Sequence, residues 1–112
     1  MTDEPERTVV PFRPRPSDLE ATIREIATED RFVYLGPHAR DRMVERSITR
    51  PDALRVLRVG SIDGPIEQGR VPGEWKCKVV ARVKGSREIG VVTVVVEGKK
   101  LFLKTVEWED LR

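Results

Sequence analysis

Three side chains capable of chemistry recur at four-residue steps: His38, Arg42 and Arg46. On a helix that spacing sets all three near one face. Two guanidiniums can grip a phosphate in two-pronged fashion. An imidazole beside them can move a proton, because its pKa lies near physiological pH. Together they suit cleavage of an RNA phosphodiester through its 2′-hydroxyl. His38 would act as acid or base, and the arginines would stabilise charge on the phosphorane. A plainer arrangement fits the same spacing, and by spacing alone it is the commoner one. In it Arg42 and Arg46 pair with Glu45, Asp41 or sheet carboxylates, and His38 caps or packs at the helix start.

A second set is Lys76, Lys78, Arg82 and Lys84, at the two-residue period that places side chains together on one side of a strand. A flat basic sheet face can follow a phosphate backbone, and Lys104 from a later strand can join it. An ordinary solvated face of a sheet covered on one side gives the same pattern.

Several chemistries are disfavoured. One histidine and one cysteine cannot build a conventional structural zinc site, and no metal is expected. No Gly-rich phosphate loop of either common kind occurs, so no cofactor is expected. Cys77 alternates with Trp75 and Val79, which reads as core rather than nucleophile. Trp75 and Trp108 read as sheet packing.

The elements that must position these residues follow from periodicity. Pro5, Pro11, Pro14 and Pro16 rule out helix or central strand near the start, so residues 1–16 read as a flexible, proline-rich arm. Residues 17–112 read as one α+β domain. Ser17 and Glu20 stand in capping-box spacing. Leu19, Ile23, Ile26 and Ala27 make an apolar stripe, predicting a helix over 17–30. Phe32–Gly36 reads as a short extended link. Pro37 opens a second helix over 37–46. Thr49, Pro51 and Asp52 start a third over 50–59, with Gly60 as its stop.

After Gly60 the period switches from helix to strand. A weak strand over 61–67 precedes three strong ones within 74–108, joined by turns at Gly85-Ser86 and Gly98-Lys99. Short turns between successive strands imply antiparallel pairing. The predicted architecture has two to three N-terminal helices packed on one face of a four-stranded antiparallel sheet.

The chain has 112 residues, enough for one core and too few for two domains. Its net charge is only +2, but the distribution is uneven: −4 over residues 1–30, +8 over 31–104 and −2 over 105–112. A basic body suits a polyanionic partner such as RNA, DNA or an acidic protein. The acidic Met1–Arg7 stretch is not followed by an apolar run, and Val91–Val96 is too short to span a bilayer. A cytoplasmic protein that does not engage the membrane is expected.

The stretch His38-Ala39-Arg40-Asp41-Arg42-Met43-Val44-Glu45-Arg46, followed by Ala53-Leu54-Arg55-Val56-Leu57 and Gly60, resembles a bacterial family known as domain of unknown function 4258. That family's hallmark is a helix of the form His-Ala-x-x-Arg-Met-x-x-Arg, then a second helix and a strand meander. Where many members carry Gly before the Ile, this chain carries Ser47. The family is similar in layout to small toxin ribonucleases of the RelE and BrnT kind. The resemblance therefore implies a metal-independent RNA endonuclease of toxin–antitoxin type, with an acidic antitoxin as partner. His38 would transfer protons, and Arg42 and Arg46 would hold the scissile phosphate. Lys76, Lys78, Arg82, Lys84 and Lys104 would grip the flanking backbone. The alternative is a non-enzymatic module on the same fold that binds nucleic acid or a regulatory protein.

Overall fold

A computed structural model describes residues 13–109, with Lys84 described by its backbone alone. The arm expected over 1–16 lies outside the described residues as far as residue 12. At its end Pro16 already belongs to a helix. Helix α1 runs Pro16–Ala27, and Arg15, not Ser17, precedes it as the N-cap. The expected capping box does not form. Glu20 instead accepts the backbone N–H of Ile62 at 2.8 Å, across 42 residues. The helix ends three residues earlier than expected, and a single 3-10 turn, Asp30–Phe32, follows.

Helices α2 (Pro37–Arg46) and α3 (Arg50–Val59) match expectation. At α3 the capping box is complete: Thr49 accepts from the Asp52 backbone, and the Asp52 carboxylate accepts from that of Thr49. Helix α2 ends on Ser47 in the left-handed conformation, φ 57°. That is the conformation glycine adopts without a steric penalty.

The extended link is the principal correction. Val33–Leu35 is a strand, β1, and it pairs in parallel with the last strand through Val33–Leu101, Tyr34–Phe102 and Leu35–Leu103. Four further strands follow: β2 (Ser61–Gln68), β3 (Trp75–Lys84), β4 (Arg87–Val96) and β5 (Lys100–Trp108). The sheet is five-stranded and mixed, in the order β1-β5-β4-β3-β2, not four-stranded and antiparallel. Three residues are too few for periodicity to distinguish a strand from a link, so only the pairing partner settles the matter. The β2–β3–β4–β5 meander is antiparallel as expected.

The three helices and one side of the sheet enclose the core. Ile23 of α1, Val56 and Leu57 of α3, Val79, Val91, Leu101, Leu103 and Val106 are fully buried there. Arginines fasten the helices by donating to backbone carbonyls. Arg58 Nε reaches Ala27 O at 2.7 Å, Arg24 reaches Gly60 O at 3.0 Å, and Arg50 reaches Val33 O at 3.1 Å. Carbonyls near helix ends lack a partner within the helix, and long cationic side chains supply one. Gly60 has φ −85°, so its role is space. A Cβ there would stand 2.7 Å from Val80 O.

Three register shifts shape the sheet, one of them between Arg82 and Lys84 at the β3–β4 hairpin end. On edge strand β2, extra residues around Gly64 and Pro65 separate the Asp63–Lys78 and Glu67–Lys76 pairs. Proline at an edge bulge removes no ladder hydrogen bond and discourages further pairing. On β5 the register steps from Leu103 to Thr105 opposite the consecutive Thr93 and Val92, so Lys104 is the extra residue. Leu101 and Leu103 before the bulge, and Val106 after it, all point into the core, while Lys104 is exposed.

Candidate nucleic-acid interface

Among the described residues the helices cover one side of the sheet and leave the other open. Register fixes what the open side carries, because residues opposite one another across a ladder share a face. One row crosses all five strands: Glu67, Lys76, Val94, Phe102 and Tyr34. The Gln68–Glu74 loop rises beside it. Together they form a cavity of about 500 Å³ with an apolar floor of Val94, Val96 and Phe102. Val71 stands on the loop side, and Arg70, Lys76 and Lys104 supply the cations.

The acids here leave much of that charge uncompensated. Glu74 Oε1 accepts the Arg70 backbone N–H at 3.1 Å and so closes the loop. Lys76 Nζ lies 3.6 Å from Glu67, both side chains well exposed, a geometry that holds little energy. Among the described residues Lys100 and Lys104 have no carboxylate partner. Their ammonium groups lie 5.8 Å from the Tyr34 ring centre and 6.0 Å from that of Phe102.

The other half of the open face differs. Lys78 Nζ donates to Glu109 at 2.9 Å and to Glu107 at 3.3 Å. The Glu109 side chain is 3% exposed. Gly90 makes room for it, since a Cβ there would collide with the Glu109 carboxylate. The hydrogen bond from Lys78 to Glu109 is the main cause that holds the lysine pKa above its ordinary 10.5. Arg82 faces Glu88 at 3.9 Å. Lys84 pairs through its backbone with Arg87 at the hairpin end.

The expected set on α2 divides as well. His38 is exposed in the first helical turn. Arg42 is ion-paired with Glu45 at 2.9 Å. Arg46 donates to Val106 O at 2.7 Å, and its own carbonyl accepts the Trp108 indole N–H at 2.9 Å. Arg46 and Trp108 thus latch the end of α2 to β5. The start of α2 is held at the aromatic row: Gly36 N–H donates to Leu103 O at 3.1 Å, and a Cβ on Gly36 would stand 2.9 Å from the Phe102 ring. The fold therefore brings the N-cap of α2, two residues before His38, to the Phe102 end of the open face.

Cys77 is buried in the core, and burial pushes its thiol up to about 11, with Glu20 adding to the shift. No group of three or more His, Cys, Asp or Glu among the described residues is placed to hold a metal ion. No helix among them is long and apolar enough to cross a membrane.

Sequence reasoning missed Tyr34 and Phe102. Phe102 lies in the unbroken apolar run Leu101-Phe102-Leu103, where alternation is invisible. Its outward direction shows only in the flanking Lys100 and Lys104, two residues to either side.

No curated protein and no solved structure matches the chain. The family model described as Domain of unknown function (DUF4258) does match, over residues 35–108. That span runs from the end of β1 through α2, α3 and the meander, so it takes in the α2 motif and most of the open face. The chain belongs to that family.

Proposed function

We propose that the protein binds RNA on the half of the open sheet face that carries Lys76, Lys104, Lys100 and Arg70. One observation carries this reading: Arg70, Lys76 and Lys104 line an apolar cleft while the nearby Glu74 carboxylate is engaged by a backbone N–H. A polyanion meeting that surface releases its condensed cations, and the lysine and arginine charges replace them. The test is binding of labelled RNA followed across a salt series. Affinity should fall steeply and linearly on log–log axes. Wild-type protein that binds no RNA at low salt would sink the proposal.

A second reading adds catalysis: a metal-independent RNA endonuclease of toxin–antitoxin type. It is favoured by the packing of Gly36 on Phe102, which holds the N-cap of α2 beside the bound strand. His38 would move the proton of the attacking or leaving oxygen. Arg42 and Arg46 would clamp the phosphate, each guanidinium having five N–H donors, more than its contact to Glu45 or Val106 uses. An acidic antitoxin would silence the protein by covering the same cations. His38→Ala should then keep RNA affinity and lose cleavage by about 10²–10⁴. Absence of cleavage by pure wild-type protein, or wild-type cleavage by His38→Ala, leaves the non-enzymatic binding module.

A further inference from the structure

Phe102 and Tyr34 stand side by side on neighbouring strands of the open face, 37% and 49% exposed. The core does not need them. Leu101 and Leu103, on either side of Phe102, are fully buried and fill the helix-covered side. Two aromatic rings left in water on a flat sheet present π-faces to whatever lies on that sheet.

Their surroundings narrow the ligand. Lys100 and Lys104 share the strand face with Phe102 and flank it, each about 7 Å along the strand by ordinary strand rise. Alternation alone sets Lys104 on the same side as Phe102, and the β5 bulge then returns Val106 to the core. Beyond Phe102, in the same row, Val94 floors the cleft and Lys76 stands at its far side. Arg70 lies on the loop bordering it. The cleft volume of about 500 Å³ falls in the range of small-ligand sites. A flat apolar surface edged by cations fits a base with its phosphates on either side. Acidic peptides offer the charge without the flat ring. Duplex RNA offers phosphates but keeps its base faces stacked inside the helix.

We propose that Phe102, with Tyr34 beside it, is a stacking platform for an unpaired base, so that the substrate class of this surface is single-stranded RNA. The proposal rests on the RNA-binding reading above. Base–aromatic stacking tolerates any sequence, since every base has a π-face. Lys76, Lys100 and Lys104 hold the backbone on both sides of the stacked base.

The test compares three probes of equal length with full-length protein: oligouridine, the same strand paired with oligoadenosine, and an abasic strand with an intact phosphate backbone. Oligouridine should bind tightest. Phe102→Leu keeps an apolar side chain of similar reach and removes the ring. It should weaken oligouridine binding by about tenfold to a hundredfold. Its salt slope should stay at the wild-type value, because no phosphate contact is lost. Phe102→Tyr, which keeps the ring, should restore binding. Thermal melting confirms that each variant is folded. If duplex or abasic strand binds as well as oligouridine, or if Phe102→Leu binds like wild type, stacking is overturned while RNA binding stands. If none of the probes binds, the RNA-binding reading falls and takes this one with it. If polyglutamate displaces oligouridine as readily as unlabelled oligouridine does, the surface is a site for an acidic protein, and the proposal is overturned.

Discussion

The two halves of the open sheet face carry similar numbers of cations and differ in what those cations do. Around Gly90, Lys78 lies between Glu107 and Glu109, and Arg82 faces Glu88. Around Phe102, Lys100 and Lys104 have no carboxylate partner among the described residues, and Lys76 has only a long, exposed contact to Glu67. Lysines counted along a strand therefore do not measure positive surface. Lys76 and Lys78 are two residues apart on β3 and share a face, yet one is offered to solvent and the other is locked into an ion-pair cluster. Antiparallel pairing decides which acid each lysine meets: Glu67 for Lys76, and for Lys78 two acids 29 and 31 positions away.

The sharpest way to break this contrast is to remove cations from each half and measure RNA binding. The double variant Lys76→Ala/Lys104→Ala should lose about 20- to 30-fold in affinity near 0.1 M salt. That figure follows from two single-strand phosphate contacts, each contributing roughly 0.7 to the log–log salt slope. The slope itself should flatten by roughly 1.4. Lys78→Ala should change affinity by less than about twofold, because its charge is already neutralised by two carboxylates. Equal losses from the two halves, read by fluorescence anisotropy, would erase the distinction.

Stability should show the reverse order. Lys78→Ala deprives the nearly buried Glu109 carboxylate of a charge-assisted hydrogen bond, and should cost about 1–3 kcal/mol in urea unfolding. The pH dependence follows from the raised Lys78 pKa. A lysine whose folded-state pKa lies above the ordinary 10.5 contributes stability that is fully present below that value. The contribution disappears as pH rises through the higher folded-state pKa. Wild-type stability should fall in that alkaline window, and Lys78→Gln should lack this part of the fall.

Smaller effects sharpen the picture away from the sheet. Ser47→Gly should stabilise the protein by about 0.5–1 kcal/mol, since Ser47 holds φ 57° at the end of α2 where glycine is unstrained. An unchanged midpoint of thermal unfolding would contradict that reading of the turn. Lys76→Ala should move stability by no more than about 0.5 kcal/mol, as expected for an exposed ion pair. A loss comparable to that of Lys78→Ala would show that both lysines are structural.

Much of the fold could be read in advance because strong periodicity is local. The α3 stripe with its Thr49 cap, the stop at Gly60 and the β3–β4–β5 meander all follow from spacing within about ten residues. The α1 start was misread for a related reason. Ser17 and Glu20 have capping-box spacing, but Glu20 had a better partner in Ile62, which no local pattern reveals. The candidate site was half legible. Lys76 and Lys104 could be named from alternation, whereas Tyr34 and Phe102 lie in runs too short or too uniformly apolar to alternate.

Local pattern and composition suffice for the α+β class, the order of helices and meander, the core faces and the uneven charge. Each is written in contacts between near neighbours or in composition. The tertiary structure alone decided that Val33–Leu35 is a fifth strand, that Arg46 latches α2 to β5, and that Lys78 is neutralised while Lys104 is exposed. It also brought Tyr34, Phe102, Val94 and Lys76 into one row. The physical reason is register. A strand's period of two gives the alternation of its side chains but not their cross-strand partners, and a single bulge after Leu103 reverses the phase of everything beyond it.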